Sequence, residues 1–351
     1  MTKLTIISRR KEHYPISIAP MMDKTDRHFR YLMRLISKRT LLYTEMITMQ
    51  AILHGNRDFL LGYSPIENPL VLQLGGDDPK KLALCAKIAQ EYGYQEVNLN
   101  VGCPSDRVQS GNFGACLMLQ PQLVAECVSE MRAVTHLPIT VKHRIGVDQV
   151  DRYEDMCHFV DTVAQAGCDA FIVHARKAWL SGLSPKENRE IPPLRYSEVY
   201  DLKKAFPHLL IEINGGIQTW AQINQHLEHV DAVMIGRAAY DTPWLFESAD
   251  HLLFQAPKNT EDFEDQVIHQ MADYLDVAIK EQGAKSNHIL RHLLNLLVGR
   301  PGNKKWKRAI SENQNTANGE FLKKTWESCL LFAKAHETLK DSHLNELKQM
   351  H

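Results

Sequence analysis

The chain has 351 residues, 44% hydrophobic and 24% charged, with a formal net charge of −1, the make-up of a globular protein with an ample core. It holds no run of about eighteen apolar residues, which argues against a membrane-spanning helix, and its near-zero charge means that any nucleic-acid surface must be local. Seven cysteines, at 85, 103, 116, 127, 157, 168 and 329, are odd in number and never in C-x-x-C spacing. That pattern speaks against a disulfide framework or a structural zinc site, so a reducing cytoplasmic setting and no metal are expected.

Met1–Lys11 is short and mildly basic, without an apolar h-region or a small-residue cleavage site, so no secretory signal is expected. Short apolar runs then alternate with helical patterns. The predicted strands are Ile16–Ala19, Leu41–Thr44, Leu70–Leu74, Glu96–Asn100, Ile139–Lys142, Ala170–His174, Leu210–Asn214 and Ala232–Gly236. Between them the periodicity predicts helices over Arg27–Leu35, Pro79–Tyr92, Pro121–Val134, Glu154–Ala166, Ser197–Phe206 and Ala221–His229. Eight strand–helix units over about 240 residues point to an α/β fold, a (β/α)8 TIM barrel, more than to an open doubly wound sheet. After Pro243–Pro257 the strands cease, and helices are predicted over Glu264–Gln282, Ile289–Val298, Asn303–Ser311 and Phe321–Leu339. The chain therefore divides into a barrel, residues 1–245, and a smaller C-terminal helical domain, residues 246–351. The first dozen residues and the C-terminal tail are expected to fray.

In such barrels the acting residues stand at the C-terminal strand ends. Those ends hold Pro20-Met21-Met22-Asp23, Glu45, Gln73-Leu74-Gly75-Gly76, Asn100 to Cys103, Lys142-His143-Arg144, His174-Ala175-Arg176-Lys177, Asn214-Gly215-Gly216 and Gly236-Arg237. This density of amide, imidazole and cation side chains reads as one site assembled from many loops. After the fourth strand, Cys103 stands between Gly102, taken as allowing a turn where a side chain would clash, and Pro104. Such a thiol can be a nucleophile, a general acid or a small core residue. Glycine-rich turns after the seventh and eighth strands suit a phosphate group. Gln73 suits an imide edge, and Lys142 suits negative charge on a reduced ring. Lys142-x-Arg144 and His174-Ala-Arg176 place cations where both can face one ligand. Together these describe a mononucleotide-like cofactor across the barrel mouth.

Two regions are strongly basic. The long loop after the sixth strand, Arg176–Pro193, carries Lys177, Lys186, Arg189 and Trp179; a lid and a nucleic-acid contact are both open readings. From Ala284 to Ser311 there is no acid, but there are Lys285, Arg291, Arg300, Lys304, Lys305, Lys307 and Arg308, interleaved with His288, His292 and Trp306. That one-signed segment is read as a phosphate-facing surface.

Ala19-Pro20-Met21 with Thr25-Asp26, Gln73-Leu74-Gly75, Asn98 to Pro104, Lys142-x-Arg144, His174-Ala175-Arg176, Asn214-Gly215-Gly216-Ile217 and Gly236-Arg237 together resemble the tRNA-dihydrouridine synthases, over about residues 15 to 310. Asp106–Met118 and Ala175–Pro193 resemble the A-type branch. The resemblance implies an FMN-containing barrel with a helical tRNA-binding domain that uses NADPH to reduce uridine to 5,6-dihydrouridine, at D-loop positions 20 and 20a in the A-type branch. By similarity the FMN contacts fall on Pro20, Met21, Met22, Gln73, Lys142, His174, Asn214, Gly215, Gly216, Gly236 and Arg237, and Cys103 is the proton donor. Hydride passes from reduced flavin to C6 of uracil, and C5 takes a proton. An ordinary thiol is largely protonated at neutral pH and can supply it. No histidine stands beside Cys103 in sequence to make a thiolate nucleophile. Asn100, Lys186, Arg189, Arg300 and Lys304 are assigned to RNA from their charge and their loops. A monomer is expected. The rival is an FMN-dependent dehydrogenase of free pyrimidines, of the dihydroorotate kind, on the same barrel.

Overall fold

The computed structural model describes residues 14–349, and the side chains of all of these except 106, 107 and 337–349; the basic N-terminus and the end of the C-terminal tail lie outside the described residues. Eight parallel strands form the barrel: β1 (Ile16–Ile18), β2 (Leu42–Thr48), β3 (Leu70–Gly75), β4 (Glu96–Val101), β5 (Ile139–Arg144), β6 (Ala170–His174), β7 (Ile211–Asn214) and β8 (Ala232–Ile235). They pair in the order β1-β8-β7-β6-β5-β4-β3-β2. A parallel bridge between Ser17 and Leu41 links β1 to the start of β2 and completes the ring. Around it run α1 (Arg27–Ile36), α2 (Pro79–Glu91), α3 (Pro121–Val134), α4 (Tyr153–Gln165), α5 (Tyr196–Ala205) and α6 (Trp220–Leu227). The Asp78 side chain accepts from the N–H of Lys81, capping α2 ahead of Pro79.

The strands have a period of two. On β4, Val97, Leu99 and Val101 are fully buried facing outward, while Glu96, Asn98 and Asn100 turn into the barrel. On β5 the outward residue His143 packs its ring on Phe159 of α4, with centroids 5.0 Å apart, and inward Thr140 bonds to Glu96. Each fully buried aliphatic side chain contributes about 1.5–3 kcal/mol of transfer free energy. The inner core comprises Ala19, Leu41, Tyr43, Val71, Ile172 and Met234. Two features differ from the sequence reading. Strand β2 continues to Thr48 across a register shift between Tyr43 and Met46, so Glu45 sits in a bulge rather than at a strand end. Short helices at Met49–His54 and Arg57–Leu61 fill the β2–β3 connection.

By contacts the chain divides into two units. One comprises the chain up to Arg30 with Arg39–Ala238, and the other Tyr31–Lys38 with the chain from Ala239 onward. The second half of α1 thus belongs with the helical unit: Tyr31 stacks on Tyr274 at 3.9 Å, and Asp250 accepts from Ser37 Oγ and Lys38 N. That unit is built on α7 (Phe263–Gln282), α8 (Asn303–Glu312) and α9 (Gly319–Gln349). The expected helix over Ile289–Val298 is instead a short helix, Ser286–Leu290, followed by turns closed by i+3 bonds such as Leu296 N to Leu293 O. Those turns bury the same apolar residues, Ile289, Leu290, Leu293, Leu296 and Leu297. Among the described residues no helix is long and apolar enough to cross a membrane.

Candidate active site at the barrel mouth

The loop after β4 is held from several sides. Asn100 Oδ1 accepts from the backbone N–H groups of Gly102 (3.1 Å) and Cys103 (3.0 Å), and Asn100 Nδ2 donates to Gln73 Oε1 (2.9 Å). The N–H of Ala115 donates to Cys103 O (2.9 Å). Gln109 Nε2 donates both to Pro104 O (2.8 Å) and to Leu180 O (2.7 Å), joining this loop to the one after β6. The half-buried Cys103 thiol lies 3.5 Å from Ser105 Oγ. Gly102 is not the steric device the sequence suggested. A Cβ there would lie 3.5 Å from the His143 backbone, an ordinary contact, and its φ is not left-handed. Side-chain bonds shape the loop instead.

Arg144 has a structural task beside any ligand contact. Through Nε and Nη1 its guanidinium donates to three backbone carbonyls, Gly102 O (3.0 Å), Lys177 O (3.0 Å) and Asn188 O (2.9 Å). It clamps the β4 and β6 loops together, and burial lowers its pKa to about 10, so it stays charged at neutral pH. Asn188 is fully buried and staples the β6 loop to itself: its Oδ1 accepts from Trp179 N (2.8 Å), and its Nδ2 donates to Trp179 O (2.9 Å) and Leu183 O (3.1 Å). Lys177 Nζ lies 3.8 Å from the Trp179 ring centroid and 3.1 Å from Asp151. A loop so internally bonded is a built wall.

The other strand ends meet across the mouth. Lys142 Nζ donates to Asn214 Oδ1 (3.2 Å), and Asn214 Nδ2 donates to Met234 O (2.8 Å). Gly215 and Gly216 have φ of 124° and 71°, and a Cβ on Gly215 would stand 2.7 Å from His174 Cδ2, so this turn admits no side chain. Gly236 is different: a Cβ there would meet only Ala19 Cβ, at 3.9 Å, so packing does not require glycine. A bare backbone at such a turn lets an anion approach its N–H groups. Arg176 Nε is buried and has no hydrogen-bond partner among the described residues, a donor that an anionic ligand would satisfy. Arg237 pairs with Glu190 at 2.9 Å. Next to Pro20, Met21 N and O both bond Thr25 Oγ1, and Met22 is exposed. The bare Gly215-Gly216 turn and the unsatisfied Arg176 Nε suit an anionic ligand.

Electrostatics favour anions here. Burial, then the Arg144 charge, lowers Lys142 to about 8, with Glu212 and Cys103 opposing; it remains largely charged at neutral pH. Burial, then Arg144, Lys142, Arg176 and Arg189, holds His174 well below the usual histidine value, so its imidazole is neutral. Arg189 is exposed on the β6 loop within electrostatic reach of Cys103 and Arg237, and Lys186 is exposed nearby in sequence.

The basic segment of the helical unit is less open than its composition suggests. Arg300 makes a bidentate pair with Glu264, at 2.6 and 2.7 Å. Arg308 pairs with Glu312, and Lys305 donates to Ser328 Oγ (2.6 Å). Trp306 is fully buried edge-on to Trp326, with its Nε1 on Leu293 O (2.8 Å), and His292 is buried too. Neither ring can stack on a base. Lys304 is exposed and makes no ion pair among the described residues.

The profile of the family described as dihydrouridine synthase (Dus) matches residues 17–333. Curated relatives named tRNA-dihydrouridine(20/20a) synthase include one from Synechocystis, 61% identical over 299 residues (85% of this chain, 89% of that one). One from Shewanella oneidensis is 54% identical over 314 residues (89% and 93%), and one from Vibrio cholerae 55% over 301 residues (85% and 90%). Among solved structures, a 2-naphthoyl-CoA reductase complex is similar in fold alone, with a TM-score of 0.54 at 11% identity, covering 67% of this chain and 49% of that one. With the family profile spanning the barrel and most of the helical unit, the chain belongs to the dihydrouridine synthase family.

Proposed function

We propose that this chain reduces uridines 20 and 20a in the D-loop of tRNA to 5,6-dihydrouridine, the specificity its relatives' names carry, with bound FMN and with NADPH as reductant. The observation that supports it best is the 2.9 Å bond between Asn100, which holds the Cys103 loop, and Gln73, a strand-end residue assigned to the flavin. Gln73, Lys142, His174, Asn214, Gly215, Gly216, Gly236 and Arg237 would hold the FMN, with Pro20, Met21 and Met22. When bound and reduced, the flavin supplies a hydride to C6 of the uracil. Cys103 supplies the proton to C5 as general acid. Lys142, Arg144 and Arg189 lie within electrostatic reach of its sulfur and stabilise the thiolate left behind. Neutral His174 adds a hydrogen-bonding group without adding charge to the mouth.

Reaching the base means swinging it out of the folded tRNA, at a cost of a few kcal/mol. Phosphate contacts from Lys186, Arg189 and Lys304 offset that cost, with Asn100 at the base; Arg300, held by Glu264, contributes less. The protein acts as a cytoplasmic monomer and takes no metal. A dehydrogenase of free pyrimidines is the weaker reading, because family membership and the cationic β6 loop both favour RNA. Mapping dihydrouridine in tRNA from cells lacking this chain tests the proposal. Loss at positions 20 and 20a is expected, and unchanged dihydrouridine there would overturn it.

A further inference from the structure

A chain of buried polar side chains runs through the barrel interior, and every donor in it points the same way. Cys103 N donates to Asn100 Oδ1 (3.0 Å), Asn100 Nδ2 to Gln73 Oε1 (2.9 Å) and Gln73 Nε2 to Asn98 Oδ1 (2.8 Å). Asn98 Nδ2 then donates to Thr140 Oγ1 (2.9 Å), and Thr140 Oγ1 to Glu96 Oε1 (2.6 Å). Tyr43 OH approaches the same carboxylate oxygen at 3.4 Å. Asn98 and Thr140 are 0% exposed, Gln73 1% and Glu96 5%.

An Asn or Gln amide has nearly the same shape after a half-turn, which exchanges its donor and acceptor ends, whereas a carboxylate can only accept. Glu96 therefore breaks the symmetry at the inner end, in the same sense as the loop N–H groups at the outer one. It takes the single proton of Thr140, whose lone pair then receives the NH2 of Asn98. That turns Asn98 Oδ1 toward Gln73, Gln73 Oε1 toward Asn100, and Asn100 Oδ1 toward the loop. In the reversed sense Asn100 would present NH2 to the N–H groups of Gly102 and Cys103, donor against donor. In a low-dielectric interior a half-satisfied network of this kind costs more than an apolar one.

We propose that Glu96 and Thr140 are positioning residues: through Asn98 they fix which way the Gln73 and Asn100 amides face, and so hold the Cys103 thiol in register with the Gln73 edge of the cofactor site. This rests on the function proposed above. Neither residue is assigned a contact with flavin, substrate or the reacting atoms.

The test is Thr140→Val, which keeps shape and strand propensity but breaks the chain, compared with Thr140→Ser, which restores the hydroxyl. In flavin-loaded protein, Thr140→Val should retain flavin absorbance and tRNA affinity. Its single-turnover reduction of tRNA should fall about ten- to a hundredfold, the scale of a small misplacement of reacting groups. Iodoacetamide labelling of the Cys103 peptide should speed up about threefold or more as the loop loosens. Thr140→Ser should return both rates to within about twofold of the parent. Parental rates in Thr140→Val, failure of Thr140→Ser to rescue, or loss of flavin from either variant would each overturn the proposal. Should Thr140→Val not fold, Glu96→Leu, which offers Thr140 no acceptor, decides by the same readouts, and failure of both to fold would make the chain a folding element and the proposal wrong. If flavin-loaded parent protein does not reduce tRNA, the functional reading fails by itself. Labelling alone then judges the chain: faster in Thr140→Val and restored in Thr140→Ser supports it, and equal rates overturn it.

Discussion

The barrel mouth and the helical unit are both rich in cations, but they treat them differently. At the mouth, Lys142, Arg144, Arg176 and Arg189 stand together with few carboxylates, and Glu190 pairs with Arg237. Burial lowers Lys142 and Arg144 from their usual values, the mark of charge held in place against its own solvation. In the helical unit Arg300, Arg308, Lys323 and Lys324 each sit beside a carboxylate, and Trp306 and Trp326 are buried. Exposed pairs of that kind contribute little to stability and leave less charge for phosphate. Uncompensated charge on a rigid frame marks a site, whereas a basic composition on a helix surface does not.

The largest effect expected from this contrast is at Lys142. Replacing it with Met should lower tRNA-dependent flavin oxidation about a hundredfold, the scale of a preorganised charge lost from an active site. The pH dependence carries a sign. The charged form is the useful one, and because its pKa is about 8, activity should decline as pH rises through that value. In Lys142→Arg, whose guanidinium stays protonated, that alkaline limb should be absent; an identical limb in both proteins would detach it from Lys142.

A smaller effect separates the cations of the helical unit. Lys304→Ala should reduce the slope of log tRNA affinity against log salt by about one, whereas Arg300→Ala, already neutralised by Glu264, should change it by clearly less. Equal losses would show that the Glu264 pair opens on binding and that the contrast drawn above is wrong.

How far the sequence revealed this arrangement follows from the same physics. Strands β3 to β8 lie within two residues of their predicted ends, because apolar residues alternate with the inward polar ones. The strand-end residues Gln73, Lys142, His174 and Asn214 converge because a barrel leaves them nowhere else to point. The spacing of Arg144 from Lys142 places it inward but does not show that backbone carbonyls would take two of its nitrogens. Thr140 and Glu96 drew no notice, since one polar residue inside a strand looks like any other until its partners are known. Trp306 read as a surface aromatic among lysines, yet an amphipathic helix of this composition buries its one large ring. The turns at 291–302 kept the apolar spacing of a helix without its backbone, a distinction that periodicity cannot make.

If Cys103 is the proton donor around which the mouth is organised, Cys103→Ala in flavin-loaded protein is the decisive variant. Flavin and tRNA binding should be retained while dihydrouridine formation falls by a factor of about a hundred to ten thousand, the range for loss of a general acid. Dihydrouridine formation at the parental rate would contradict it.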